Sequence, residues 1–213
     1  VLAISAAEAW SVVVNARLSA REIDLIRDHS GARRVVYTVA VSSDARAHAE
    51  RHGATFLDAP GVGPLALGPL ASVVLPEPAA ADPTKQVAVL LYTSGTTGAP
   101  KGVMLSHRSI LFVAGTARAM RDLGPEDRFY GVLPVAHIVG FATVLVAALL
   151  AGASVYLAPR FQPEVALATL SQQRITRFPG VPAMFQRLRE HCALTGVARL
   201  NLRDGEGALN IAM

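Results

Sequence analysis

The chain contains a single cysteine, Cys192, in 213 residues. An intrachain disulfide and a cysteine-rich metal centre are therefore excluded, and the scarcity fits a reducing, cytoplasmic setting. Charge is also sparse: Asp, Glu, Lys and Arg make up 17 % of the residues, and the formal net charge is +4. The basic residues are scattered (Arg17, Arg21, Arg27, Arg33, Arg34, then Arg118, Arg121, Arg128) and form no dense run with aromatics, so no nucleic-acid partner is expected. No basic segment precedes an apolar stretch near Val1, so a signal peptide is not expected. What the chain does have is apolar content, 52 %, which excludes intrinsic disorder. Its length suits one large α/β domain or two small ones.

The segment from Arg128 to Arg160 holds no charged residue between its ends, and Val139 to Leu157 is almost wholly apolar. A run of that length raises the question of a transmembrane helix. Its punctuation answers otherwise. Pro134 and His137 interrupt the start, Gly140 weakens it, and Gly152 falls where a helix of three or four turns should stop. A buried helix followed by a buried strand over Ala153 to Ala158 is expected, with no transmembrane segment.

Elsewhere the pattern alternates between strand and helix. Ser19-Ala20-Arg21-Glu22 has the form of a capping box, opening a helix with Ile23 and Ile26 on one face and an end near Gly31. A strand is expected over Arg34 to Val41, a helix over Asp44 to His52, and a short strand over Ala54 to Leu57, a β-α-β order that implies parallel strands with crossover helices. Ala59 to Pro83, rich in Pro, Gly and Ala, reads as a connecting segment. Further on come a strand over Val87 to Leu91, a helix over Ser106 to Arg121, a strand over Arg128 to Leu133, a helix over Pro163 to Gln173, a strand over Ile175 to Phe178 and a helix over Ala183 to His191.

The chemistry concentrates in Tyr92-Thr93-Ser94-Gly95-Thr96-Thr97-Gly98-Ala99-Pro100-Lys101-Gly102-Val103. Four hydroxyls (Thr93, Ser94, Thr96, Thr97), two glycines (Gly95, Gly98) and Lys101 follow a buried strand. Glycine lets backbone N–H groups crowd an anion, hydroxyls add donors, and lysine adds a mobile cation. This inventory suits a polyphosphate. The P-loop of nucleotide hydrolases does not fit, because Pro100 precedes the lysine, Gly102 follows it, and Val103-Met104-Leu105 reads as a second strand instead of a first helical turn. A surface turn rich in Ser, Thr and Gly, with no ligand, is the plain alternative.

Leu90 to His107 resembles the phosphate-loop motif of the adenylate-forming (AMP-binding) enzymes. Val14-Asn15-Ala16-Arg17-Leu18, Leu133-Pro134-Val135-Ala136-His137-Ile138-Val139-Gly140 and Gly180-Val181-Pro182-Ala183-Met184 resemble acyl-CoA synthetases in particular, in family order. The resemblance implies an α/β fold, part of the large N-terminal domain of an adenylate-forming enzyme, with layered sheets and flanking helices. It implies ATP, Mg2+ and coenzyme A as reactants and cofactors, and a small-molecule carboxylic acid as substrate. Thr93, Ser94, Gly95, Thr96, Thr97, Gly98 and Lys101 would hold the ATP phosphates. His137, which on its own reads equally as a core or turn histidine, would lie beside the carboxylate to be activated. Ala136 stands where the family usually has an aromatic residue.

The resemblance covers about residues 10 to 200, and residues 1–203 are assigned to a partial AMP-binding domain. The Tyr-Gly-x-Thr-Glu segment, the ribose-binding aspartate, the hinge and the C-terminal lid domain with its catalytic lysine have no counterpart here. Residues 204–213 form an atypical tail, expected of an excerpt, a truncated gene or a frameshifted frame. Three readings follow: a segment of an acyl-CoA synthetase that is incomplete for catalysis as it stands, a non-catalytic polyphosphate-binding module, or a structural remnant that pairs with another chain. Self-association through uncovered core surface is expected of such a segment.

Overall fold

The computed structural model of the chain describes residues 1–75, 78–93 and 101–195. The chain divides into two compact units, Val1–His107 and Arg108–Met213. The first contains helix α1 (Leu2–Ala6), strand β1 (Ser11–Val13), α2 (Ala20–Ser30), β2 (Val36–Tyr37), α3 (Ser43–Arg51), β3 (Thr55–Ala59), β4 (Gly63–Leu67), β5 (Val87–Thr93) and β6 (Lys101–Ser106). One sheet has the order β1-β5-β6, with β1 parallel and β6 antiparallel to β5. Ala88, Val89, Leu90 and Leu91 are all buried, as the unbroken apolar run of a central strand requires.

Helix α2 forms as its capping box dictates. The Ser19 hydroxyl accepts from the Glu22 N–H, and the Glu22 carboxylate accepts from the Ser19 N–H at 2.8 Å. Ile23 and Ile26 are its buried face, and Gly31, at φ 59°, closes it in the left-handed conformation. β2 and β3 run parallel, joined by the crossover helix α3, as the β-α-β order implies. They are not neighbours, because β4 lies between them and runs antiparallel to both. That strand, Gly-Pro-Leu-Ala-Leu, falls within the segment read as a connector, where its Gly and Pro masked a hairpin partner. The strand expected over Arg34 to Val41 contracts to Val36–Tyr37.

Asp24 ties three elements of this unit together. His52 donates from Nε2 to Asp24 at 2.8 Å, Arg51 donates to the other carboxylate oxygen at 2.7 Å, and the Tyr37 hydroxyl meets His52 Nδ1 at 2.5 Å. A ring that donates from Nε2 accepts from the phenol at Nδ1, so both ring nitrogens of His52 are satisfied. A shallow cleft of about 220 Å³ lies against this network, lined in part by Arg27, Arg34, Tyr37 and His52. Arg27 is itself paired with Asp28 at 2.9 Å and Asp24 at 3.6 Å, so its charge is already compensated.

The second unit contains α4 (His107–Met120, entered from the last residue of the first unit), β7 (Arg128–Gly131), a π-helix (Val139–Val146) continuing into α5 (Ala147–Ala151), β8 (Ser154–Leu157), α6 (Pro163–Gln172) and α7 (Pro182–Thr195). β7 and β8 are parallel, joined by the helical crossover. Successive residues of β7 face opposite layers. Phe129 packs with Ala114, Val144 and Ala148 of α4, the π-helix and α5, whereas Tyr130 packs with Leu167, Leu170 and Leu188 of α6 and α7. The strand expected over Ile175 to Phe178 is a single bridge between Phe129 and Arg177, because the Arg128 carbonyl accepts from both the Thr176 and Arg177 amides and breaks the ladder. The apolar run ends at Gly152, φ 70°, and among the described residues no helix is long and apolar enough to cross a membrane.

Two outcomes test this account. The Arg51 hydrogen bond holds the Asp24 carboxyl at about 2, below its ordinary 3.8, against the opposing effect of burial and with His52 adding to the lowering. A depressed carboxyl contributes stability above its ordinary value that is lost as pH falls through the folded value. Acid titration of unfolding between those two values should therefore be steeper in the native chain than in Asp24→Asn; equal slopes would contradict the network. The Tyr130 hydroxyl is fully buried and has no hydrogen-bond partner among the described residues. Tyr130→Phe should raise the unfolding free energy by about 1–3 kcal/mol in urea titrations, the penalty of an unpaired buried hydroxyl; a loss of stability would mean that the phenol is paired.

Candidate functional site

Antiparallel β5 and β6 confirm the strand–loop–strand unit that distinguishes this motif from a P-loop. Their last registered pair is Thr93 opposite Lys101, preceded by Tyr92 opposite Gly102. Both Thr93 and Lys101 are exposed, and Lys101 forms no ion pair with the other described residues. The strand pairing thus brings a hydroxyl and an ammonium together at the loop's mouth. Ser94, Gly95, Thr96, Thr97 and Gly98 lie outside the described residues.

The base of this hairpin is braced by residues that the motif alone does not reveal. The Tyr92 ring lies across Gly102, where a Cβ would stand 3.1 Å from Tyr92 Cζ. Its hydroxyl meets His29 Nδ1 at 2.8 Å, and the two rings are edge-to-face at 86°. Gly102, read from sequence only as a departure from the P-loop, is the seat for that ring.

His137 belongs to the second unit. Its backbone N–H donates to the Pro134 carbonyl at 3.0 Å, closing a turn, and its own carbonyl accepts from Phe141 at 2.9 Å as the helix begins. The ring is exposed, and Nδ1 accepts from the Val139 N–H at 3.3 Å. Since Nδ1 is occupied as an acceptor, the ring proton sits on Nε2, which is available to donate. The following π-helix has wide turns, and side chains take up its carbonyls: Thr143 donates to Val139 at 2.8 Å and Arg121 to Thr143 at 3.2 Å.

Gly140 makes this geometry fit. A Cβ there would stand 2.3 Å from the Pro134 carbonyl oxygen and 2.7 Å from that of Leu133. The helix backbone packs directly on the backbone of the turn that carries His137, which only glycine permits. In sequence this residue read merely as a weak point in an apolar run. The chemical repertoire so placed is an ammonium and a hydroxyl for an anion in one unit, and an outward imidazole N–H in the other. Among the described residues no group of three or more His, Cys, Asp or Glu is arranged to hold a metal ion.

The sequence model of the AMP-binding enzyme family matches residues 1–207. A feruloyl-CoA synthase from an Amycolatopsis species is 32 % identical over 188 residues, 84 % of this chain and 35 % of that protein. A long-chain-fatty-acid–CoA ligase of Mycobacterium tuberculosis is 31 % identical over 185 residues, 85 % of this chain and 36 % of the relative. The chain thus spans about a third of the length of these relatives. The ATP-bound crystal structure of MatB from Rhodopseudomonas palustris superposes with a TM-score of 0.66 at 25 % identity, covering 89 % of this chain and 37 % of that one. The N-terminal domain of FACL13 from Mycobacterium tuberculosis shares the fold, with a TM-score of 0.63 at 24 % identity over 87 % of this chain and 47 % of the other. The mixed α/β architecture is that of these N-terminal domains.

Gly140→Ala should destabilise the chain by about 1–3 kcal/mol, the usual cost of overpacking, and displace the His137 turn. Gly115→Ala in α4 meets nothing within 4 Å and is the control. There the helix interior should gain about 0.5–1 kcal/mol. Chemical denaturation of both variants checks the contrast, and equal responses would contradict the close approach at Gly140.

Proposed function

The chain belongs to the AMP-binding enzyme family, and on that premise we propose that it is a segment of an ATP-dependent carboxylic acid–CoA ligase. The reaction has two halves. The carboxylate attacks the α-phosphorus of ATP, forming an acyl-adenylate and releasing pyrophosphate; the coenzyme A thiol then attacks the acyl carbon and expels AMP. The observation that carries the reading is the Thr93–Lys101 pair at the mouth of a loop rich in glycine and hydroxyls.

Each residue has a task in this reading. Lys101 places positive charge on the β- and γ-phosphates and on the departing pyrophosphate, where charge accumulates as the P–O bond breaks. Thr93, Ser94, Thr96 and Thr97 supply hydrogen bonds, and Gly95 and Gly98 allow backbone amides to approach. Magnesium, when bound with ATP, would neutralise further phosphate charge. The His137 Nε2–H orients the incoming carboxylate, and fixing two reactants in line is itself a large part of such catalysis. Relatives named for ferulate and for long-chain fatty acids support an acid with an apolar body.

The test uses the intact protein that contains this segment. Pyrophosphate–ATP exchange driven by a panel of carboxylic acids should report adenylate formation. Lys101→Ala and Thr97→Ala should slow that half-reaction about ten- to hundredfold, the loss of a charge-assisted contact of ~1.5–3 kcal/mol, while thioester formation from a supplied acyl-adenylate stays unchanged. His137→Ala should raise KM for the acid more than KM for ATP. Binding of ATP with no exchange for any acid would favour a non-catalytic polyphosphate-binding module. Equal loss in both half-reactions would assign the loop residues to folding.

A further inference from the structure

We propose that His29 is a positioning residue for Lys101, acting through Tyr92. The inference rests on the reading of Lys101 as a phosphate ligand. It begins from the exposed edge of the sheet. Among the described residues β6 is the outer strand of the order β1-β5-β6, and its Val103 and Met104 side chains are exposed. A hairpin end on an edge strand is held on one side only, so it is free to splay unless a side chain ties it elsewhere. Where Lys101 directs its ammonium depends on the backbone at this end.

Tyr92 supplies the tie. It pairs with Gly102, one position inside the Thr93–Lys101 pair, and its ring crosses the partner strand at the place a side chain on residue 102 would occupy. The ring therefore bears on the β6 backbone next to Lys101. Its hydroxyl is held by His29 Nδ1 at 2.8 Å, and the imidazole meets the phenol edge-to-face with centroids 5.7 Å apart. His29 is itself fixed. It stands in the last turn of α2, which the capping box fastens at one end and Gly31 closes at the other. Asp24 of the same helix is bound to Arg51 and His52 at the end of α3. A continuous series of contacts thus runs from the paired helices through His29 and Tyr92 to the backbone beside Lys101. Two strands joined by a glycine-rich loop do not need such a brace to form a hairpin; a loop that must present one cation to an anion does.

The prediction concerns binding of ATP with magnesium to the intact protein, measured by calorimetry. Tyr92→Phe and His29→Phe keep both rings and remove the hydrogen bond; each should weaken ATP binding about three- to tenfold, the range of one neutral hydrogen bond. The double variant should be no weaker than either single one, because both remove the same contact. His29→Asn, whose amide group stands where Nδ1 does, should restore affinity to within about twofold. Amide exchange at Lys101 to Val103 should accelerate in both Phe variants, and KM for ATP should rise with KM for the acid unchanged. Unchanged ATP affinity and exchange in both Phe variants, with Lys101→Ala still weakening ATP binding, overturns the positioning role and leaves the phosphate site standing. Unchanged ATP affinity in Lys101→Ala overturns the phosphate-site reading and the positioning role with it.

Discussion

Both site-bearing stretches of the second unit issue from strand positions set by one buried ion pair. Arg177 donates to Asp127 from Nε at 2.8 Å and from Nη2 at 3.3 Å, with the Asp127 side chain fully buried and that of Arg177 8 % exposed. Burial alone would raise the Asp127 carboxyl, but Arg177, the Gly124 amide and the Thr176 hydroxyl together outweigh it and leave it below the usual carboxylate value. A buried charge with any of these partners removed would be costly, so the arrangement tolerates little displacement. Asp127 immediately precedes β7, whose far end releases the chain into the Leu133–Gly140 turn. Arg177 lies just before Gly180-Val181-Pro182. The two segments that resemble acyl-CoA synthetases are therefore anchored to a common point within this unit.

A different solution serves the first unit, where the loop hangs from strands and the helices behind it carry the stiffness. Hydrophobic burial fixes β5 along its length, yet burial is non-directional and cannot orient the hairpin's exposed end. Directional contacts take over where burial stops. The Asp24 network joins α2 to α3, and the His29–Tyr92 contact joins α2 to the hairpin. In this unit Asp24, His29 and Tyr92 are thus polar side chains placed at the joints between elements.

The sequence revealed most where a single local rule decides the outcome. The capping box at Ser19, the stop at Gly152, the buried β5 run and the strand–loop–strand form of the phosphate motif each follow from a few neighbouring residues. It misled where partners are distant. β4 was hidden because Gly63-Pro64-Leu65-Ala66-Leu67 reads as a linker until β2 and β3 flank it. Ile175 to Phe178 has strand-like residues but only one bridge, because Arg128 offers one carbonyl to two amides. The π-helix gives no signal distinct from an α-helix in a uniformly apolar run, since its wider turn shows only in which carbonyls are left for Thr143 and Arg121. Gly140 and Gly102 were visible as glycines, but the backbone and the ring that require them lie on other elements.

The division of charge between the two candidate groups fits the proposed chemistry. A carboxylate must remain nucleophilic until it reaches phosphorus. A full cation beside it would stabilise the charge it has to donate and slow the attack. On the proposed reading, an imidazole whose Nδ1 accepts from the Val139 amide would offer Nε2–H to the carboxylate and orient it at smaller electrostatic cost. Lys101 presents the opposite property. It adds a full positive charge at the mouth of the loop proposed to hold the phosphates, where the reaction develops negative charge as pyrophosphate departs. A lysine at position 137 and a histidine at position 101 would reverse both effects, holding back the nucleophile and leaving the leaving group less stabilised. The residue types are therefore matched to the direction in which electrons move.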